Sequence, residues 1–398
     1  MNHQLRYMHQ KKLSFEDTEI AFRHSSNFDL KRAYWLFRVI NVNFWVKIGP
    51  PVTNFAIKIG LPIKGLIRAT IFKHFCGGET ITECNKTIKK LYDGGVGTIL
   101  DYSIEGEDSE DVFDDTRDEI IRTIERASSD RAVPITVFKI TGVGRFSLLQ
   151  KLDEEKTLGM DELGEWEKVQ ARVLSICEMA YTNGIPVMID AEESWIQKTI
   201  DKVALDMMLK FNKTKAIVYN TYQLYRYDKF ESLKSDHKVA VISGFILGVK
   251  LVRGAYMEKE RNRAVVNGYR SPIQPDKIST DRDYEFALNF CTDNIARIAF
   301  VAGTHNEESC RLLVGLLDKK QIDHKNPHVY FSQLLGMSDN LSFNLANAQY
   351  NVAKYVPYGP IKAVLPYLFR RAQENTAIAG QMSRELSLIV KEVKRRKS

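Results

Sequence analysis

The run "DELGEWEKVQARVLSICEMAYTNG" (161–184), followed without a break by "IPVMIDA" (185–191), decides the architecture. The first segment is long enough for a crossover helix and ends on the Asn-Gly expected of a helix terminus. The second is a short apolar run of strand character. Working outward, the same unit recurs. Strands are expected at "GTILDYSIEG" (97–106), "VPITVFKIT" (133–141), "IPVMIDA" (185–191), "AIVYNTYQ" (216–223), "GVKLVRG" (248–254), "RIAFVAGTH" (297–305), "HVYFSQ" (328–333) and "NVAKYVPYG" (351–359), with helical stretches between them. Strand–helix alternation implies parallel pairing, because parallel neighbours need a crossover. Eight such units in about 300 residues fit a closed (β/α)8 barrel. A doubly wound open sheet is the alternative, but it should show GxGxxG after its first strand. The chain offers only "TGVG" (141–144), after the second strand and short of the third glycine.

Upstream, from Trp35 to Lys90, the pattern is helical and aromatic-rich with scattered lysines, and it reads as an arm. Such a segment either lies on a membrane surface or packs as an ordinary helix, the commoner outcome. The expected domains are therefore an N-terminal helical arm, 1–95, and a barrel, 96–398. The acidic run "EGEDSEDVFDDTRDE" (105–119) reads as a solvated loop and helix start.

Composition narrows the class. With 398 residues, 44% hydrophobic and 27% charged, the chain is globular material with a substantial core, and disorder is excluded. The net charge of +7 would suit an anionic surface, nucleic acid or an acidic ligand, but at this size it is a mild excess. The five cysteines (Cys76, Cys84, Cys177, Cys291, Cys310) show no CxxC spacing, which points to free thiols in a reducing compartment and away from zinc. No apolar signal segment opens the sequence, and the richest apolar region, 35–75, is interrupted by Lys47, Pro50, Pro51, Lys58 and Lys64, so no membrane span is expected.

Buried parallel strands should be almost wholly apolar, so the polar residues at their C-terminal halves carry information. They are Asp101, Lys139, Asp190, Asn220 with Gln223, Lys250 then Arg253, Thr304 with His305, Gln333, and Tyr355. Each alone has a structural explanation, such as a snorkelling lysine or a helix-capping aspartate. Together they argue for a polar pocket on the rim where barrel sites are built. Lys250 is the sharpest, since "GFILGVKLVRGAY" (244–256) is otherwise a continuous buried strand. The glycine of "RGAY" allows close backbone approach, and the helix start beyond it could hold phosphate. "GTHNEES" (303–309) repeats the arrangement, with Asn306 as a helix cap.

After the eighth strand, "YGPIKAVLPYLFRRAQENTA" predicts a helix from 360 to 375, kinked or restarted at Pro366. Tyr367, Arg370, Arg371 and Glu374 fall on one face. Pairing of Arg370 with Glu374 at i,i+4 spacing explains one arginine. Location after the last strand suggests a guanidinium pair set to clamp a carboxylate.

These stretches carry a resemblance. "VFKIT", "IDAEES", "NTYQLY", "KLVRGAYMEKER", "GTHN", "QLLGM" and "YVPYGPIKAVLPYLFRRAQEN", in this order and at these separations, resemble proline dehydrogenase from residue 97 to the C-terminus. The resemblance implies a distorted (β/α)8 barrel with FAD across the strand ends. It implies oxidation of L-proline to Δ1-pyrroline-5-carboxylate by hydride transfer from C5 to flavin N5, electrons passing to a membrane quinone. Carried over, Lys139, Arg370 and Arg371 bind substrate, Asp190 lines the catalytic pocket, and Lys250 sits against the flavin ring. Ala191, Asn220, Arg253, Gly254, Ala255, Thr304 and His305 hold FAD; Tyr355 and Tyr367 wall the proline ring, and Glu374 pairs with the arginines. Many bacterial members carry arginine at the position of Lys250 and glutamine at that of Asn220, and the lysine form resembles the eukaryotic-type branch. The chain is too short for the aldehyde dehydrogenase module of bifunctional relatives. No metal or nucleic acid is implied. The expected location is cytoplasmic, peripheral on the inner face of a bacterial membrane, or the mitochondrial inner membrane in a eukaryote. The arm and the tail "VKEVKRRKS" (390–398) are the candidate membrane contacts, a frayed, solvated end being the plainer reading of the tail. Two rivals remain at this point: a 4-hydroxyproline dehydrogenase, disfavoured by Tyr355, and a non-catalytic basic barrel.

Overall fold

A computed structural model describes residues 13–40, 64–102, 109–375 and 384–398. The arm's middle (41–63) and the tip of the acidic loop (103–108) lie outside the described residues. In chain order the elements are α1 (Thr18–Phe22), α2 (Asn27–Ile40), α3 (Lys64–Ile67), which passes through a π-helical turn (Arg68–Phe72) into α4 (Lys73–Phe75), and α5 (Ile81–Asp93). Then follow β1 (Gly97–Tyr102), α6 (Glu110–Ser128), β2 (Ile135–Phe138), a 3-10 turn (Ile140–Gly142), α7 (Phe146–Asp153), α8 (Met160–Asn183), β3 (Val187–Ile189), α9 (Ser194–Phe211) and β4 (Val218–Gln223). The rest comprises α10 (Lys229–Ser243), β5 (Leu247–Val252), α11 (Met257–Asn267), α12 (Lys277–Asp293), β6 (Ile298–Gly303), α13 (Glu307–Lys319), β7 (Val329–Leu334), α14 (Asp339–Asn347), β8 (Val352–Tyr358), α15 (Ile361–Asn375) and α16 (Arg384–Arg395). All eight expected strands form, and they close into one parallel barrel in sequence order. By compactness the chain divides into residues 1–98 with 333–398, and residues 99–332.

In residues 99–332 each unit is built from local signals. Ser109 accepts the Val112 N–H to start α6, the helix expected after the acidic loop. Gly184 ends α8 at φ 65°, a left-handed conformation that glycine adopts without penalty. All six residues of β4 are buried, the signature of a strand covered on both faces. Register then fixes sidedness. Ile189 pairs with Asn220, and Thr221 with Lys250. Because side chains alternate along a strand, Asp190, Thr221 and Lys250 share one face, and Asn220 and Tyr222 take the other. The Tyr222 hydroxyl donates to Asp236 of α10 at 2.7 Å, which identifies that second face as the one toward the helices.

In the other unit, α15 and α16 bury their apolar faces against the N-terminal helices. Phe22, Leu30, Phe37, Phe72 and Phe75 share a core with Val364, Leu368, Leu388 and Ile389. The described part of the arm is thus packed helix, although Phe28 and Trp35 remain exposed. Two expectations change here. Of the two outcomes expected at Pro366, the restart does not occur: one helix runs from Ile361 to Asn375. The tail is not frayed: Glu392, fully buried, takes hydrogen bonds from Arg395 and Arg396, and Arg396 also donates to the carbonyls of Phe22 (2.7 Å) and Ser25 (2.9 Å). Among the described residues no helix is long and apolar enough to cross a membrane, and all five cysteines are buried and outside any disulfide.

Candidate active site

Two groups of polar side chains stand out, one in each unit. In residues 99–332 the group lies at the C-terminal ends of β2 to β6. The Lys250 ammonium donates to Asp190 Oδ1 at 2.6 Å, with side chains 8% and 15% exposed. An ammonium at this depth needs such a partner, since an unpaired charge would be strongly disfavoured. Asp190 is held in place by its own N–H, which donates to the Phe138 carbonyl at 2.9 Å. Lys139, half-buried, leaves β2 beside it and opens the 3-10 turn. Ala191 is half-buried as well.

Beyond β5, the Arg253 guanidinium uses three nitrogens at once: Nε on Asp281 (2.8 Å), Nη1 on the Thr304 hydroxyl (2.8 Å) and Nη2 on the Ser309 hydroxyl (2.9 Å). It also stacks over Tyr284 at 4.4 Å. Gly254 follows at φ 142°, where an added Cβ would lie 2.5 Å from the Tyr225 ring. Gly254, Ala255 and His305 are exposed. Asn306 caps α13 by accepting the Ser309 N–H at 2.9 Å, so the "GTHN" stretch does form a capped helix start.

Asn220 is the correction. Its amide donates to Asp201 of α9 at 2.9 Å and its oxygen accepts the Thr221 N–H at 2.9 Å, so the side chain is engaged on the helix-facing side. A cofactor-holding role for that side chain is not supported. The residue that closes β4 toward the rim is Gln223, whose amide donates to the Glu192 carbonyl at 2.7 Å.

Glu192 went unassigned in the sequence. It is 3% exposed, and its two carboxylate oxygens accept from the Thr141 N–H (3.1 Å) and, over a short contact, from the Thr141 hydroxyl. Burial pushes its pKa up to about 7 against the pull of Lys139 and of the Thr141 hydrogen bonds. The signal was present as a second acid in "IDAEES", but nothing in one sequence tells a rim acid from a surface acid.

In residues 333–398 the group lies on β8 and α15. Tyr355 and Tyr367 are buried, at 5% and 7% exposure, as is Arg371 at 6%; Arg370 is half-buried. The Arg371 guanidinium stands 5.1 Å from the Tyr367 ring centre and meets Glu374 Oε1 at 2.6 Å. The pair to Glu374 therefore includes Arg371 at i,i+3, where the spacing had suggested Arg370. Tyr355 is anchored through its carbonyl, which accepts the Leu335 N–H at 2.8 Å. Its neighbour Lys354 is fully buried and binds Asp339 (2.9 Å) and the carbonyls of Leu334 (3.2 Å) and Met337 (2.5 Å), tying the loop after β7 to β8.

Comparison with known proteins gives a consistent result. The family model for proline dehydrogenase matches residues 84–384. Proline dehydrogenase 1, mitochondrial, of Dictyostelium discoideum is 32% identical, covering 96% of this chain and 74% of its own. Hydroxyproline dehydrogenase of Xenopus laevis is 30% identical, covering 97% and 91%. Among solved structures, proline utilization A from Bdellovibrio bacteriovorus, inactivated by N-propargylglycine, matches with a TM-score of 0.70 at 20% identity, over 92% of this chain and 39% of that longer one, a likeness of fold. On the strength of the match over residues 84–384 and the full-length relatives, the chain belongs to the proline dehydrogenase family of oxidoreductases.

Proposed function

We propose that the chain oxidises L-proline to Δ1-pyrroline-5-carboxylate with FAD as its cofactor and a membrane quinone as the final electron acceptor. The observation that carries this reading is the buried Lys250–Asp190 pair on the inner face of the strands. A lysine in that position offers a hydrogen-bond donor to an electron-rich ring, and Asp190 keeps it oriented.

The residues present fit a flavin dinucleotide. Lys250 supplies a cation for the ring system, and Gly254, whose Cβ position is filled by the Tyr225 ring, offers only backbone at the rim. The exposed Gly254, Ala255 and His305, with the capped start of α13, offer backbone N–H groups and a partial positive charge to a pyrophosphate. Arg253 and Thr304, bonded to each other, fix the two strand exits in register. Ala191 would contribute through its backbone. The flavin, when bound, would supply the two-electron acceptor for the hydride that leaves C5 of proline.

Arg370 and Arg371 take the substrate carboxylate, Arg371 being oriented by Glu374 and by the Tyr367 face; in residues 99–332, Lys139 is the substrate ligand that the resemblance implies. Tyr355 and Tyr367 form the walls of the ring pocket. Holding the carboxylate fixes the substrate in one pose, the orientation term that bimolecular reactions otherwise lack. Membrane contact would be peripheral, at the inner face of a bacterial membrane or at the mitochondrial inner membrane.

The purified protein should be yellow, and its flavin absorbance should bleach anaerobically on addition of L-proline. A colourless protein would leave the non-catalytic basic barrel. The Xenopus relative motivates a second substrate, 4-hydroxyproline, which the bulk of buried Tyr355 disfavours. Faster turnover of hydroxyproline than of proline would reverse the assignment.

A further inference from the structure

One side of α2 is committed to the core of its unit and the opposite side is not. Leu30, Ala33, Phe37 and Ile40 are buried with residues of α15 and α16. Phe28, Trp35 and Val39 are 71%, 61% and 53% exposed, and Lys31 and Arg38 are exposed with them. At about 100° per residue these five fall within one arc of about 100°, facing away from the buried side. The arc carries three large apolar residues, two cations and no acid. Asp29, the one acid of α2, lies about a quarter-turn outside it and is engaged by the Ser26 hydroxyl at 2.9 Å and by Arg32 at 3.4 Å. The Arg38 guanidinium stands 5.4 Å from the Trp35 ring centre and donates to the Tyr34 hydroxyl at 3.1 Å. In α3, whose Ile67 joins the same core, Leu66 and Lys64 are exposed as well.

The solvent side of an amphipathic helix is ordinarily polar. A face that is apolar, with cations threaded through it, matches the boundary of a bilayer with anionic headgroups. There aromatic rings sit at headgroup depth, and ammonium and guanidinium groups answer the lipid phosphates. A second copy of the chain is a poorer fit, because an isologous contact of this face would set four cations together with no acid among them. The C-terminal tail offers less, since Arg395 and Arg396 are bonded to Glu392, and Lys391 to Glu16.

We propose that the outer face of α2, formed by Phe28, Lys31, Trp35, Arg38 and Val39, lies flat on a bilayer surface and selects one that contains anionic lipid. The apolar side chains enter the headgroup boundary and the cations set the lipid preference, while the buried side of the helix keeps its place in the core. This rests on the reading that the chain works at a membrane, and it assigns that contact to one face. Each cation near an anionic surface is worth about a fivefold change in binding, so the pair accounts for about 25-fold.

The test is co-sedimentation of the full, flavin-loaded chain with vesicles of phosphatidylcholine, alone or mixed with phosphatidylglycerol. Binding should be about 25-fold tighter to the mixed vesicles and should weaken as salt screens the cations. Lys31→Gln with Arg38→Gln should remove that preference. Phe28→Gln with Trp35→Gln should weaken binding about tenfold or more on both vesicles. Ile278→Gln, at an equally exposed apolar residue of α12, should change nothing. No binding by the unsubstituted protein, or binding that neither double variant weakens, overturns the proposal. So does a dimer that Trp35→Gln dissociates in a protein that ignores vesicles, since a second copy then covers the face. Should the aromatic variant lose its fold, read from Tm, the cation variant decides alone. Bleaching of the flavin by L-proline in vesicle-free solution is scored separately: a protein that bleaches without binding vesicles loses only this surface, and one that binds without bleaching loses only the catalytic reading.

Discussion

In residues 99–332 the Lys250–Asp190 pair is made across two strands, between side chains 8% and 15% exposed. In residues 333–398 the Arg371–Glu374 pair is made along one helix, and although the Arg371 side chain is 8% exposed, that of Glu374 is 40% exposed. The first pair exists only because the barrel sets the register of β5 against its neighbours. The second needs no more than a helix, and water shares in it. Loss of one partner should therefore matter far more on the strands than on the helix, while the helix arginine should matter chiefly through what it binds.

The largest effect is expected for Lys250→Met. It removes the cation that meets Asp190 at 2.6 Å, and breaking a buried pair costs about 3–5 kcal/mol. Urea unfolding should show that loss, together with loss of flavin and of proline oxidation. Retention of both stability and flavin would contradict the pairing. Next comes Arg371→Met, which should raise the KM for proline on the order of 10–100-fold, the value of a charged hydrogen bond of about 1.5–3 kcal/mol. Flavin content, read from absorbance, should stay within a small fraction of normal.

The stability profile with pH gives an intermediate effect in the same unit. Glu385 accepts the Ser338 N–H at 2.5 Å, and burial pushes its pKa up to about 7. A raised carboxyl pKa means the folded state holds its proton longer, so stability falls as pH rises from about 4.5 to about 7 and is flat above that. His74, pushed down to about 4 by burial, contributes in the opposite sense, with stability rising between about 4 and 6.5. Glu385→Gln should therefore raise Tm at pH 8 while changing it little at pH 4.5, and an equal rise at both would argue against the titration. Asn220→Ala should lower stability by about 1–3 kcal/mol by removing a donor from Asp201, with flavin content unchanged. Loss of flavin without loss of stability would restore the cofactor role that its position argues against. The smallest effect is expected for Glu374→Gln, a severalfold rise in KM from a partly exposed pair worth about 0.2–1 kcal/mol.

The same contrast explains what the sequence disclosed. The eight strands were legible because buried parallel strands are apolar runs bounded by turn chemistry, and helix–strand alternation leaves few topologies. Lys139, Asp190 and Lys250 were legible as polar breaks in those runs. Asn220 looked equivalent, but its sidedness depends on pairing with Ile189 and Val249, which no single strand encodes. Helical spacing allowed Glu374 to pair at either i+3 or i+4, and the choice of Arg371 comes from side-chain packing against Tyr367. Pro366 removes one backbone donor, yet Val364, Leu365, Tyr367 and Leu368 bury their apolar faces around it, and that burial keeps the helix whole. The docking of the tail was invisible because its partners are far away in the chain.

That docking has a consequence for synthesis. Arg396 donates to carbonyls 371 and 374 residues earlier, at Ser25 and Phe22. Helices α1 and α2 are synthesised long before α16 and cannot complete their shared core until it has been made. Residues 99–332 meet most of their partners within a strand and a helix of themselves and can organise sooner. Through that interval Phe22, Phe37 and Phe72 wait without their final cover, which makes α1, α2 and the π-helical turn the segments most in need of protection until α15 and α16 have been translated.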